Sequence, residues 1–377
     1  MTRGSTVQTD GRSAAPGSPL DSSVTEIVEA ALARFLAERR AMTAAVDAHF
    51  AVATRALDEF VLGGGKRIRP TFAWWGWRGA GGAPDAPGTD AVVRAIGALE
   101  LVQACALIHD DLMDGSATRR GRPTVHVDFA ARHRTAGWRG QPDRFGAATA
   151  ILLGDLAMCW ADDMLRGAGL PADALRRMAQ PWDAMRTEVL GGQYLDVLHQ
   201  ATGDRTEHAA LQINRYKTAA YTVERPLHLG AAIAGAGPEL IDAYRRFGAD
   251  VGVAFQLRDD MLGVFGDPAV TGKPAGDDLR EGKHTLLLAC ATERAEAAGD
   301  RAALAVLGQA VGNLDLRPDE LDRARDVLLE LGAVRAVEQR IAELTESGLD
   351  ALTGAPIAAP AGDRLAELAF AATRRAR

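Results

Sequence analysis

The chain has 377 residues, 47% of them hydrophobic and 25% charged, which is enough apolar material for a large core within the range of ordinary globular proteins. A formal net charge of -7 leaves no electrostatic footprint for general nucleic-acid binding, although basic residues gather locally. Three cysteines, Cys105, Cys159 and Cys290, are too far apart in sequence for a metal or disulfide pattern and point to a reducing, cytoplasmic setting.

Residues 1–23 are rich in Gly, Ser, Thr and Pro, lack the apolar centre of a signal peptide, and read as a disordered tail. From residue 24 to residue 377 apolar residues recur at three-four spacing, while β-branched and aromatic runs are scarce, so the expected fold is all-α. The pattern predicts helices over about 24–62, 90–114, 145–167, 172–200, 207–234, 238–265 and 284–296, with shorter pieces to about 352. Gly and Pro clusters mark breaks at Gly79 to Thr89, Thr135 to Asp143, Gly266 to Gly282 and Gly354 to Gly362. None reads as an interdomain linker, because matching helical patterns resume at once, and one helical domain is the simplest account. No apolar stretch reads as long enough to cross a membrane.

Two acidic clusters interrupt the most apolar stretches. Asp110, Asp111 and Asp114 end the run that starts at Leu99, and Asp259 and Asp260 open a second cluster that runs on to Asp267. Asp110 and Asp114, four residues apart, share one helix face. Carboxylates crowded together and withdrawn from water must bind protons or cations. An oxygen-only ligand set suits Mg²⁺, whose coordination is completed by water and substrate phosphates, so a diphosphate substrate is expected.

Basic loops accompany both clusters. Arg119 and Arg120, just beyond Asp114, could grip phosphate oxygens through forked guanidinium donors, or form a solvated basic turn. Gly63-Gly64-Gly65-Lys66-Arg67-Ile68-Arg69 combines a flexible turn with three cations, and could equally be a glycine helix stop with a basic flank. It is no P-loop, since no Ser or Thr follows the lysine. Gln256 shares a helix face with Asp259, while Lys273 and Lys283 in the following loop could meet a metal-bound diphosphate or pair with Asp277, Asp278 or Glu281. Gln193 with Asp196, and Lys217 with Thr218, are polar interruptions of apolar helices that could also be satisfied structural spots. Trp74, Trp75 and Trp77 fit core or subunit interface better than a substrate platform.

Jointly, from Gly63 to Lys283, these motifs resemble the trans-isoprenyl diphosphate synthases, or polyprenyl synthetases. The resemblance implies a single helical bundle of the isoprenoid synthase type around a deep central cavity, occupying residues 24–377, with two aspartate-rich motifs facing each other across its mouth. It implies three Mg²⁺ ions held by Asp110, Asp114 and Asp259 with Asp111 and Asp260 in support. By resemblance Lys66, Arg69, Gln103 and Arg120 bind isopentenyl diphosphate, while Arg119, Lys217, Thr218, Gln256, Lys273 and Lys283 bind the allylic diphosphate; Arg67, Gln193 and Asp196 are further substrate-binding candidates. The implied chemistry is ionisation of the allylic C–O bond, attack by the isopentenyl double bond, and proton loss. A homodimer without stable membrane insertion is likewise expected only from the family. One departure is plain: the family's second motif usually ends in Asp where this chain has Gly263, which implies a weaker hold on the third metal with activity retained.

Residues below the first cluster are expected to set product length. Cys105 and Ala106 are small where the family uses large aromatic side chains to stop growth at fifteen carbons, so the tunnel should run on to Val102 and Leu99, with Met158 or Trp160 as floors. A C20 product, geranylgeranyl diphosphate, is favoured over C15 or C25 and longer. A class I terpene cyclase and a non-catalytic subunit of a heteromeric synthase are the competing readings, the latter suggested only by Gly263.

Overall fold

Helix α5 (Thr89–Met113) is apolar on nearly every side, and such a helix satisfies its surface only at the centre of a bundle. In the computed structural model, which describes residues 18–267 and 275–374, it lies there. It packs against α7 (Pro142–Arg166), α2 (Val24–Val46) and α4 (Ile68–Gly79), with α8 (Ala172–Thr202) and α10 (Arg225–Ala234) closing the surround. The fold is all-α, as expected. Among the described residues the one exception is a two-stranded hairpin, β1 (Thr118–Arg119) and β2 (Arg122–Pro123), turned by Arg120 at φ 53 and Gly121 at φ 72.

A second core forms around α11 (Pro238–Phe265), the C-terminal half of which packs with α13 (Leu286–Ala298), α14 (Arg301–Ala310), α15 (Pro318–Glu330) and α16 (Ala333–Leu352). The N-terminal half of α11, through Leu240, Tyr244, Phe247 and Val251, belongs to the first core, so this helix joins the two. Arg258 ties the C-terminal helices to it, donating to both Glu338 oxygens at 2.8 and 2.6 Å and to the Thr373 carbonyl of α17 (Ala361–Thr373) at 2.8 Å.

Several expected boundaries move for identifiable reasons. The span 24–62 divides at Asp47, whose side chain accepts from the His49 amide at 2.7 Å and starts a new helix, α3 (Ala48–Leu62). The span 207–234 contains α9 (Glu207–Ile213), then a π-helical segment (Asn214–Glu224), then α10. Helix α4, unforeseen, is short and buries Trp74, Trp75 and Trp77 in the core. Of the expected tail, residues 1–17 lie outside the described residues. Pro19–Ser22 is instead a helical turn, α1, where Asp21 accepts from Trp74 Nε1 and Arg78 Nε, both at 2.9 Å. The expectation about membrane spans also needs correction. By length and composition α5 and α7 are both apolar enough to cross a bilayer, with mean hydropathy 1.8 and 1.3 in their best windows. In α5 that window is 78% buried inside the protein, as befits a core helix, whereas in α7 it is 39% buried.

Helices α4 and α10 cross with almost no side chains between them. A Cβ on Gly230 would lie 1.9 Å from the Ala73 carbonyl oxygen, and one on Gly76 would lie 2.4 Å from that of Leu227. At this crossing His228 is buried beside Arg225, whose Nη1 is 3.4 Å from its Nδ1. Burial first, then the charges of Arg225 and Arg245, push the imidazole down to about 4 from its ordinary 6.5. The unfolded chain therefore binds the extra proton between those values, and stability falls as pH drops through the window from 6.5 to about 4. The loss should approach about 3 kcal/mol at its acid limit. Urea unfolding at about pH 7 and about pH 4.5 should show a larger difference in the wild type than in His228→Gln.

Candidate active site

The π-helical segment owes its place to three glycines on its neighbours. A Cβ on Gly192 of α8 would lie 2.2 Å from the Lys217 amide nitrogen, and Cβ atoms on Gly252 and Gly248 of α11 would lie 2.6 Å from Ala219 Cα and 2.4 Å from Glu224 Cα. Backbone thus packs on backbone, and the wider π turn aims Lys217 at the end of α5. Its Nζ donates to Asp110 Oδ1 at 2.9 Å and Asp196 Oδ2 at 2.6 Å. Burial disfavours both charges, yet each stabilises the other: Lys217, Lys283 and Arg119 hold Asp110 below the usual carboxylate range, and Asp110 and Asp196 hold Lys217 protonated well above its own. At Asp114, on the helix end, burial and then the Asp110 charge outweigh the pull of Lys217 and Lys283 and push the carboxyl up to about 6.

Arg119 is oriented by the hairpin. Its Nε reaches both oxygens of Asp111 at 2.8 and 2.9 Å, and its Nη2 comes within 3.6 Å of Asp110 Oδ2. Asp111, expected as a supporting metal ligand, is thus buried and held bidentately by Arg119. Across the mouth, Arg120 Nη1 donates to the Gly64 carbonyl, which brings the glycine turn and the basic loop together. Lys66 is exposed beside them. Arg69 donates to Thr222 Oγ1 at 2.8 Å and stacks its guanidinium 4.0 Å from the Tyr221 ring centroid, and Tyr221 Oη donates to Gln103 Oε1 at 2.7 Å. Tyr221 and Thr222 were not singled out in the sequence, although they stand one turn beyond Lys217 and Thr218.

Arg67 corrects the expected binding set. It is buried in a left-handed backbone conformation at φ 46, donating to Glu100 Oε2 at 2.8 Å, Glu29 Oε1 at 3.1 Å and the Val61 carbonyl at 2.9 Å. Its guanidinium faces inward and fastens the turn, leaving Lys66 and Arg69 toward the site.

The second cluster sits on the last turns of α11. Asp260 is 6% exposed, accepts from Gln256 Nε2 at 2.7 Å through Oδ1, and has no hydrogen-bond partner for Oδ2 among the described residues. Burial, then the neighbouring Asp278, pushes its carboxyl up to about 7. Asp259 is half-buried beside it. Lys283 Nζ lies 2.9 Å from Glu281 Oε2 and 3.4 Å from Asp278 Oδ1, and Ser116 Oγ reaches Glu281 Oε1 at 3.4 Å, linking the loops that follow the two clusters. Lys273 lies outside the described residues. Thr218 is half-buried next to Lys217, and Gln193 Nε2 lies 3.9 Å from Met113 Sδ at the rim.

Along α5 a stripe of partly accessible residues, Gln103, Ala106, Leu107, Asp110 and Asp114, runs at helical spacing below and through the first cluster. Of the expected length-setting residues, Ala106 lies on this stripe. Val102 and Cys105 are buried to the side, Cys105 Sγ being 3.7 Å from His109 Nδ1. Trp160 packs edge-on against Phe35 with ring centroids 6.5 Å apart, and Met158 is partly buried against the core.

The donor set of both clusters is oxygen only, and the unpartnered Asp260 oxygen is the kind of group a hard cation satisfies. Among the described residues no three potential ligand side chains converge at metal-binding spacing; Lys217 and Arg119 stand against the first cluster instead.

The family model for polyprenyl synthetase matches residues 51–316. The chain belongs to the polyprenyl synthetase family. Among curated relatives it is 34% identical over 302 residues to geranylfarnesyl diphosphate synthase of Aeropyrum pernix, covering 78% of this chain and 85% of that protein. It is 40% identical over 211 residues to geranylgeranyl diphosphate synthase of Mycobacterium tuberculosis, covering 55% and 54% of the two chains. Among solved structures, geranylgeranyl pyrophosphate synthase of Corynebacterium glutamicum, complexed with isoprenyl diphosphate and magnesium, superposes with TM-score 0.91 and 47% identity over 95% of this chain and all of that one. This polyprenyl synthetase is therefore a transferase, a trans-prenyl diphosphate synthase that uses isoprenyl diphosphates and divalent metal.

Two adjacent turn residues differ in what they carry structurally. Arg67→Ala leaves Glu100 buried without its partner and should lower unfolding free energy by about 3–5 kcal/mol in urea denaturation. Lys66→Ala, at an exposed position, should shift stability by less than about 0.5 kcal/mol in the same measurement.

Proposed function

We propose that this polyprenyl synthetase extends an allylic diphosphate with isopentenyl diphosphate to geranylgeranyl diphosphate, a C20 product. The observation that carries the product length is Ala106, a methyl side chain on the accessible stripe of α5 one helical turn before Asp110. A large side chain at that point would block a growing chain, and a methyl does not. The Corynebacterium glutamicum neighbour, named for the C20 product, agrees. The Aeropyrum pernix relative, named for a geranylfarnesyl product, favours a longer chain as the second reading.

In this proposal Asp110, Asp114 and Asp259 hold three Mg²⁺ ions, with Asp260 and Asp111 behind them. Bound metal would supply charge neutralisation for the departing diphosphate. Lys217 and Arg119, already at the first cluster, present fixed donors to the same leaving group, and Lys283 does so from the other side; Lys273 joins this set by family likeness. Thr218 and the backbone carbonyls of the widened segment face the developing cation with lone pairs, while the apolar helices keep water from it. Lys66, Arg69 and Arg120 grip the non-allylic diphosphate, and Gln103, held by Tyr221, completes that end. Gln193 and Asp196 act by positioning, Asp196 through Lys217. Arg67 supports the binding turn from beneath.

Homodimerisation belongs to the same proposal. Leu190, Tyr194 and Val197 on α8, and Ile151 and Leu152 on α7, are exposed apolar side chains on two long helices, a surface suited to a second copy. A cytoplasmic setting is consistent with Cys105, Cys159 and Cys290 all being unpaired.

Incubation of the purified protein with Mg²⁺, isopentenyl diphosphate and allylic diphosphates of increasing length, followed by chromatography, should yield a C20 diphosphate. A hydrocarbon product would indicate a cyclase, and no product a non-catalytic subunit. Ala106→Phe should shift the main product from C20 to C15; an unchanged product would remove Ala106 from the tunnel.

A further inference from the structure

A cleft of about 550 Å³ opens on the outer side of the π-helical segment, lined by Arg215 and Glu224 from that segment and by Asp242, Arg245, Arg246 and Ala249 from the N-terminal half of α11. It lies apart from the active site. Arg215 precedes Lys217 by two positions, and residues two apart on a helix do not share a face. Lys217 accordingly turns to Asp110 and Asp196, whereas Arg215 reaches Glu224.

Glu224 is only 1% exposed, and a carboxylate so enclosed needs cations against it. Two are present: Arg215 Nη2 pairs with its Oε2, and Arg245 Nε donates to its Oε1 at 3.0 Å. That pairing leaves donors over. Arg215 Nη1 is enclosed without a hydrogen-bond partner among the described residues, and Arg246, next to Arg245, makes no ion pair among them. The other carboxylate lining the cleft, Asp242, is exposed and stands one helical turn before Arg245 and Arg246. Three guanidinium groups therefore face two carboxylates, and the buried one of the two is already held by two arginines. An enclosed N–H without an acceptor is costly, and forked guanidinium donors around an open cleft match the oxygens of a tetrahedral anion.

We propose that this cleft is a second anion site, which takes a small phosphate-type oxyanion, inorganic phosphate or diphosphate, against Arg215, Arg245 and Arg246. None of these arginines takes part in the prenyl transfer proposed above. Arg215 is the second residue of the π-helical segment and Glu224 the last, so an occupant would brace from outside the stretch of backbone that carries Lys217.

Equilibrium dialysis of the full chain against labelled inorganic phosphate, and separately against labelled inorganic diphosphate, tests the site at low ionic strength in EDTA. EDTA keeps metal from the aspartate clusters, which then repel anions. Lys66→Ala with Arg120→Ala removes cations from the active-site mouth and should leave one anion bound per chain. In that background Arg246→Ala should weaken the remaining binding about fivefold or more, the scale of a lost charge-assisted hydrogen bond, and Asp242→Asn should tighten it by removing the opposing charge. Both positions are exposed, and melting curves without anion check that the variants fold; if Arg246→Ala does not, Asp242→Asn carries the comparison. Tighter binding of diphosphate than of phosphate would make the group released in prenyl transfer the occupant, the reverse would make it free phosphate, and either result supports the site. Loss of all bound anion in Lys66→Ala with Arg120→Ala, or unchanged affinity in either Arg246→Ala or Asp242→Asn, would overturn the inference.

Discussion

The ammonium of Lys217, held between Asp110 and Asp196, is the interaction on which the site depends. Carboxylates on the inner end of the most apolar helix would be prohibitive if left unpaired, and Lys217 with Arg119 neutralises them in place. In the proposed function the same cations face an arriving diphosphate without having to be gathered. The arrangement is electrostatically preorganised: the cost of bringing donors together has been met during folding.

That lysine reaches its position through backbone proximity. Gly192, Gly248 and Gly252 let α8 and α11 close on the π-helical segment, and Gly76 with Gly230 does the same for α4 and α10. Larger residues at these points would separate helices by several tenths of an ångström or more, which is the scale on which a bidentate ion pair is lost. The site's accuracy is thus built from small residues that carry no chemistry.

Most of the helical architecture was legible in the sequence because apolar periodicity is a local signal, and Asp110, Asp114, Lys217 and Arg120 could be placed from motif spacing. What stayed hidden depended on contacts between distant segments. Arg67 and Lys66 are adjacent and chemically alike, and partners elsewhere in the chain, Glu100, Glu29 and the Val61 carbonyl, decide that one faces inward. The π widening between α9 and α10 leaves no mark in a pattern already compatible with one long helix. Asp278 read as an exposed loop acid because nothing local shows that its helical turn, α12 (Asp277–Arg280), folds back to Gly263. No apolar stretch read as long enough for a membrane span, yet helix α5 is, and its hydropathy is explained by burial in the protein.

The clamp of Arg258 on Glu338 and the Thr373 carbonyl has a mechanical consequence. Arg258 is the residue before Asp259, so the last helices of the described chain are fastened to the backbone that carries the second aspartate cluster. The C-terminal helices thus serve as an anchor for the turn of α11 that carries Asp259 and Asp260.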